Sequence, residues 1–227
     1  MWQLLNIQLS IDQRPILQNV HVQIEPGDFI ALKGANGAGK STLFNVLSGC
    51  LAPCQGEILR HGFHITSLNE QKRALWVGKL TQDPAQSCIK ELTVEQNLSI
   101  AKLKLKKASL SRIKDPIDEP TFNIATELGF DLDKYRNTLV GSLSGGQRQM
   151  LALIMVLLNH PELLLLDEPT AALDEEASGR FLTFIHTWIQ KHQIAALMIS
   201  HDPQETLFCN KSWLLQEGKI QEVVSSK

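Results

Sequence analysis

Long apolar runs are missing from this chain: no stretch of its 227 residues approaches 18 uninterrupted apolar side chains, roughly the least that crosses a bilayer as a helix. Its N-terminus, Met1-Trp2-Gln3-Leu4-Leu5-Asn6, has neither the basic region nor the apolar core of a secretory signal. Any membrane association is therefore expected to come through a partner. Charge of one sign is not in excess either. With 22 Lys and Arg against 24 Asp and Glu the net charge is −2, which argues against a sequence-independent nucleic-acid binder, whose basic excess would be strong. Cysteine is sparse, and Cys50 and Cys54 form a C-x3-C with no second pair to complete a metal site. There is no internal repeat. A hydrophobic content of 43% over this length suits one large α/β domain or a core with a small subdomain.

What is present begins with Gly34-Ala35-Asn36-Gly37-Ala38-Gly39-Lys40-Ser41-Thr42, which fills the pattern G-x-x-x-x-G-K-[ST]. The apolar run Phe29 to Leu32 leads into it as a short buried strand, and Leu43, Phe44, Val46 and Leu47 follow as one face of a helix. In that context glycines let backbone N–H groups converge on phosphate oxygens, and the helix N-terminus adds unpaired donors and positive partial charge. Lys40 is expected to neutralise β- and γ-phosphates and the Ser41 hydroxyl to hold Mg²⁺. Far down the chain, Leu163-Leu164-Leu165-Leu166 closes on Asp167-Glu168. Four apolar residues are too few for a membrane span and read as a parallel strand buried on both faces, with its carboxyl end where ligands bind in open α/β sheets. Asp167 is expected to reach the Mg²⁺ shell and Glu168 to polarise an attacking water.

Between these motifs, Leu143-Ser144-Gly145-Gly146-Gln147 runs into the amphipathic Arg148-Gln149-Met150-Leu151-Ala152-Leu153. Alone it reads as a Ser-capped helix start. Placed shortly before the leucine strand, it is similar to the signature motif of the ATP-binding cassette (ABC) family, and the chain resembles the nucleotide-binding subunit of an ABC transporter over nearly its whole length. The resemblance carries further residues with it. Gln82 matches the Q-loop glutamine that contacts Mg²⁺ or the lytic water. Ala171-Ala172-Leu173-Asp174 matches the D-loop, with Ala171 where the family often has serine, and His201 matches the switch histidine that contacts the γ-phosphate. One position departs from the pattern. Aligning Ile16-Leu17 with the family puts Ile11 where an aromatic ring usually stacks on adenine, an interaction worth about 1–3 kcal/mol in other systems. Weaker nucleotide affinity and base selectivity are expected from that departure.

The resemblance implies ATP and Mg²⁺ as the bound groups, with Gly34 to Thr42 on the phosphates and Ser41, Gln82 and Asp167 on the metal. It implies that Ser144, Gly145, Gly146 and Gln147 close on nucleotide held by a second cassette, so that one chain holds two half-sites and hydrolysis needs a homodimer or heterodimer. Lys40, Glu168, His201 and Gln82 would then carry the chemistry, mainly by positioning and electrostatics. Cytosolic ATP implies reduced thiols, so the cysteines read as structural or incidental, and His61 and His64, in the strand-and-turn region Gly56 to Ser67, as surface residues. Integral membrane permease subunits are the implied partners, with a solute-binding protein where the system has one, and the location is the cytoplasmic face of the membrane. The run Gln82-Asp83-Pro84 through Glu91 to Leu98 looks like importer-type cassettes for small solutes such as amino acids. A second class stays open: a non-transport ABC ATPase with a mechanical or regulatory role on a protein or nucleic-acid complex. Neighbouring reading frames with several spans of about 20 apolar residues would separate the two.

The expected architecture is α/β: a P-loop NTPase core with a mostly parallel sheet, an N-terminal antiparallel β-subdomain and an inserted α-helical subdomain. Residues up to Gly27 alternate apolar and polar as antiparallel strands do. Thr93-Val94-Glu95-Gln96 has capping-box spacing and opens a helix toward Lys107; its lysines read as a solvated face or, second, as a contact for a partner or lipid headgroups. Lys114 to Pro120 reads as a loop, and Thr121 to Leu128 as a short helix stopped by Gly129. The chain divides on this reading into a core of about 1–83 and 161–227 and a helical signature subdomain of about 84–160.

Overall fold

The computed structural model describes residues 1–83, 87–103 and 117–223. Alternation of apolar and polar side chains makes β1 (Trp2–Ile11) and β2 (Arg14–Ile24) an antiparallel pair that buries Leu4, Ile7, Val20 and Ile24 completely. β4 (Gln55–Arg60) and β5 (Phe63–His64) extend it into a four-stranded antiparallel sheet of order β2-β1-β4-β5. The runs without alternation form the second sheet. β3 (Phe29–Lys33), β6 (Val77–Leu80), β7 (Leu163–Asp167), β8 (Ala195–Ile199) and β9 (Lys211–Gln216) lie parallel, and β10 (Lys219–Val223) adds an antiparallel edge, in the order β10-β9-β3-β8-β7-β6.

A strand buried on both faces serves two cores. Leu163 and Leu165 point into the core shared with the antiparallel sheet and α1 (Lys40–Ser48). Leu164 and Leu166 point into the other, shared with the helices that follow. Those helices are α3 (Val94–Leu103), α4 (Glu119–Leu128), α5 (Leu132–Tyr135), α6 (Gly145–Leu157) and α7 (Glu175–His192), with the short α2 (Glu70–Arg73) preceding β6. Sequence signals account for their ends. Thr93 and Gln96 exchange the two bonds of a capping box at the start of α3. Asp118 caps α4, and Gly129 ends it in the left-handed conformation.

One expected element bound needs correction. Glu119 and Pro120 belong to the first turn of α4 rather than to a preceding loop, because proline has no N–H to lose there and its fixed φ suits a helix start. β6 begins only at Val77, since the Ala74 amide still bonds to Glu70 at the end of α2. His61 and His64 are exposed, as their strand-and-turn setting implies, and His61 Nε2 lies 2.9 Å from Glu162 Oε2. Pro84, the lysine run 104–107 and residues 114–116 of the expected loop lie outside the described residues.

Candidate active site

β3 ends at Lys33, and the chain must turn sharply to start α1. Gly34 makes that turn with φ 151°, and a Cβ there would sit 2.4 Å from the Leu215 carbonyl oxygen. Gly39 occupies the N-cap position of α1 with φ 104° and offers no side-chain bond to the helix amides, so the donors that open α1 are left for a ligand. Lys40 Nζ folds back over the loop, donating to the carbonyls of Gly34 at 2.7 Å and Ala35 at 3.1 Å. A phosphate needs that same ammonium, and carbonyl oxygens are the weaker partners.

A cavity of about 280 Å³ opens beside this loop at the carboxyl ends of β7 and β8. Asn36, Gly37, Gly39, Lys40, Ser41 and Thr42 form one wall; Gln82, Asp167, Glu168 and His201 face them. Gly34, Ala35 and Ala38 stand behind, shaping the turn: the Ala38 amide closes onto the Ala35 carbonyl at 3.1 Å. Glu168 follows β7 directly and adopts φ 46°, a left-handed conformation that costs a side chain of its size some strain and that persists where surroundings over-determine it. Its amide donates to the Ile199 carbonyl of β8 at 2.9 Å. Gln82 Nε2 donates to one Glu168 carboxylate oxygen at 2.7 Å, and His201 Nε2 lies 3.4 Å from the other. Side chains that follow the two strands flanking β7, Gln82 after β6 and His201 after β8, therefore meet on the Glu168 carboxylate after β7.

Asp167 is half-buried between β6 and β8, and desolvation raises its pKa above the usual aspartate range. The Glu168 charge adds to the rise; Lys79 and Lys40 oppose it. The Ser41 hydroxyl, the Gln82 side-chain carbonyl and the Asp167 carboxylate give the cavity three hard oxygen donors. No group of three His, Cys, Asp or Glu suited to a metal occurs among the described residues, so an all-protein cage is absent there. This donor set fits Mg²⁺, which keeps waters and substrate phosphates in its shell.

The signature residues stand apart from this cavity; none of them lines it. Ser144 caps α6 by accepting from the Gln147 amide at 3.2 Å, while the Ser144 amide donates to Gln147 Oε1 at 2.9 Å. Gln147 Nε2 continues to the Tyr135 hydroxyl at 2.9 Å. Gly145 and Gly146 pack against Ala172 and Leu173. Three residues not singled out in the sequence belong in this account. Ile16 lines the cavity, whereas Ile11 lies 43% exposed at the end of β1 and does not. The buried Gln149 donates to the Pro169 carbonyl at 2.9 Å, tying α6 to the segment after Glu168. Glu205 accepts from the hydroxyls of Thr170 and Ser200. Spacing to a motif could have found Ile16, the residue before β2 turns inward at Leu17; nothing in sequence joins Glu205 to its donors.

The family model described as ABC transporter matches residues 17–171. The chain is 37% identical over 209 residues to a tyrosine transport ATP-binding protein of Clostridioides difficile, covering 90% of this chain and 82% of the relative. It is 30% identical over 221 residues to a bacitracin export ATP-binding protein of Halalkalibacterium halodurans, covering 93% and 81%. Among solved structures, a dimeric ATP-binding cassette in a post-hydrolysis state with ADP and phosphate superposes with a TM-score of 0.85 at 22% identity over the whole of both chains, a likeness of fold.

Proposed function

The chain belongs to the ATP-binding cassette transporter family, and from that premise we propose how its residues bind and hydrolyse ATP and what the hydrolysis drives. It is the ATP-hydrolysing subunit of a transporter and works as part of a cassette dimer with membrane permeases. The observation that carries the site assignment is the convergence of the phosphate loop, Gln82, Asp167, Glu168 and His201 on one cavity. The α1 amides and Lys40 bind the nucleotide phosphates, and Lys40 leaves the Gly34 and Ala35 carbonyls to do so. Ser41, Gln82 and Asp167 would hold Mg²⁺, which would supply positive charge against the nucleotide phosphates. Glu168 accepts a proton from the attacking water at its carboxylate, with Gln82 orienting one oxygen and His201 beside the other. Ser144, Gly145, Gly146 and Gln147 complete the site of the partner cassette, since their own cavity does not include them.

We assign residues 1–83 and 161–227 to the ATPase core and 84–160 to the helical subdomain that moves against it. Between the two lies a groove of about 430 Å³, floored by Lys79 and Thr81 of the core and walled by Ile100 and Met155. Ile100, Met155 and Val156 give it an apolar side, and this groove is where a membrane subunit docks. No helix among the described residues is long and apolar enough to cross a membrane; the family supplies the reading that the permease partner holds the chain at the cytoplasmic face. Small solutes are the cargo class, and amino acids are the first to test. The testing experiment is Glu168→Gln. ATP binding should persist by calorimetry, hydrolysis should fall by about 10²-fold or more, and ATP should then trap a dimer on gel filtration. A variant that hydrolyses at the wild-type rate removes Glu168 from the mechanism.

A further inference from the structure

Two loops leave the carboxyl ends of neighbouring parallel strands here. One runs from β7 through Glu168 to Thr170; the other runs from β8 through Ser200 to His201. Each carries a group that the ATPase reading places at the reaction, and neither loop is regular structure. Something must hold their separation.

Glu205 lies in the 3-10 turn Glu205–Phe208 that follows the second loop. One oxygen of its carboxylate accepts from the Thr170 hydroxyl, and the other accepts from the Ser200 hydroxyl at 2.5 Å. Thr170 is 6% exposed, so its hydroxyl has little water to turn to. Ser200 passes the constraint on, because its oxygen also accepts from the Asp202 amide at 3.0 Å. On the other side the Thr170 carbonyl accepts from the Leu173 amide at 2.8 Å, which fixes the turn into Ala171-Ala172-Leu173-Asp174. The turn bearing Glu205 is itself pinned, since His186 Nδ1 of α7 bonds to the Phe208 carbonyl at 2.9 Å. No lysine or arginine among the described residues pairs with Glu205. The carboxylate is thus used for geometry: two splayed acceptors, one for each loop.

We propose that Glu205 is a positioning residue that clips the Thr170 loop to the Ser200 loop and thereby sets the distance between Glu168 and His201. The proposal rests on the reading of this cavity as the ATPase site. Glu205 does not line the cavity that holds Glu168 and Lys40, so its effect is expected on turnover rather than on ATP affinity. A displacement of about 1 Å in a reacting group can cost up to about 10²-fold in rate.

The experiment compares the wild type with Glu205→Ala, Glu205→Gln, Thr170→Val and Ser200→Ala, each purified as the full chain. Glu205→Ala should lower kcat about 10-fold or more while the KM for ATP stays within about twofold. Glu205→Gln should recover part of the loss, because its carbonyl still accepts one hydroxyl and its NH₂ can donate to the other. Adding Ser200→Ala to Glu205→Ala should cost little more, as expected for members of one linked unit. Amide exchange in the nucleotide-free protein supplies a readout apart from activity. Thr170→Val should speed exchange at Asp202 across the clip, with β7 amides unchanged. Additive losses in kcat, or a Thr170→Val variant whose Asp202 amide exchanges as in the wild type, would overturn the proposal. A wild type that neither binds nor hydrolyses ATP would instead remove the ATPase reading on which it stands.

Discussion

The helix starts at Gly39-Lys40 and Ser144-Gly145 face the same physical problem and solve it in opposite ways. Each opens a helix whose first amides have no partner inside the helix. At α6 a capping box satisfies the start locally, with Ser144 and Gln147 trading bonds. At α1 the cap residue is a left-handed glycine with nothing to donate or accept through a side chain, and Lys40 covers carbonyls instead of amides. One start is partly satisfied before any ligand arrives, its cap leaving the Gly145 and Gly146 amides out; the other keeps all its donors unspent. Binding capacity and intrinsic stability therefore trade against each other, and the phosphate loop sits at the binding end of that trade. The signature turn is shaped by its own cap while the Gly145 and Gly146 amides stay outside it, suited to be carried intact to another chain's nucleotide.

The comparison breaks first if the signature turn acts on its own chain. Lys40→Ala and Ser144→Arg should each reduce hydrolysis to background, the first by removing the phosphate cation and the second by filling the anion site. Mixed together, the two inactive proteins should regain partial hydrolysis, because a mixed dimer holds one composite site with an intact loop and an intact signature. Hydrolysis measured across mixing ratios checks this. A wild-type rate per chain that stays constant on dilution far below the dimer dissociation constant would show that the site is complete within one chain.

A helix with an unspent start needs holding elsewhere, and α1 is held at its other end. Gly49 closes it in the left-handed conformation. The fully buried Arg73 donates to the Val46 and Leu47 carbonyls at 2.6 and 3.1 Å, and to those of Ile65 and Thr66 at 2.9 Å each. A cation at a helix C-terminus also favours the dipole, and in a buried place these charged bonds cannot be replaced by water. Arg73→Met should destabilise the protein by about 3 kcal/mol, lowering Tm by about 6–12 °C for a chain of this size. Thermal unfolding followed by far-UV dichroism checks it, and a shift below about 2 °C would mean that packing rather than Arg73 holds α1.

These residues also mark where the sequence stops being legible. Runs such as Leu163–Leu166 announce a two-faced strand because burial on both sides leaves no polar position, and the loop from Gly34 to Thr42 is visible because its chemistry needs fixed residue types at fixed spacing. Thr93 and Asp118 could be placed near helix starts by the same local logic. Arg73 bonds only to backbone carbonyls, which carry no residue identity, and Glu205 meets Thr170 across 35 residues. In the sequence Ile16 serves only to align Ile11 with the family pattern, yet it is Ile16 that reaches the cavity, with Ile11 at the hairpin end of β1. Long-range partners and apolar contacts leave no pattern in a single chain.

The smallest expected effect is also the sharpest discriminator between the two helix starts, because it predicts opposite signs. Asp167 has its pKa raised in the folded protein, chiefly by desolvation. A carboxylate so raised binds its proton more tightly folded than unfolded, so its favourable contribution is present below the unfolded value of about 3.9 and is lost as pH rises through the folded one. At pH 7 the ionised group is a burden on the nucleotide-free protein. Asp167→Asn should therefore raise Tm at pH 7 while reducing hydrolysis, and its advantage over the wild type should shrink as the pH is lowered toward the raised pKa. Ser144→Ala, by contrast, removes a finished cap and should lower stability by about 1 kcal/mol, with no comparable pH dependence because no ionisable group is lost. Thermal melts of both variants from pH 5 to pH 8 without nucleotide make the test. If Asp167→Asn melts below the wild type at pH 7, the carboxylate is already well satisfied by Lys79 and Lys40, and the unspent character of the phosphate-loop side belongs to the α1 amides alone.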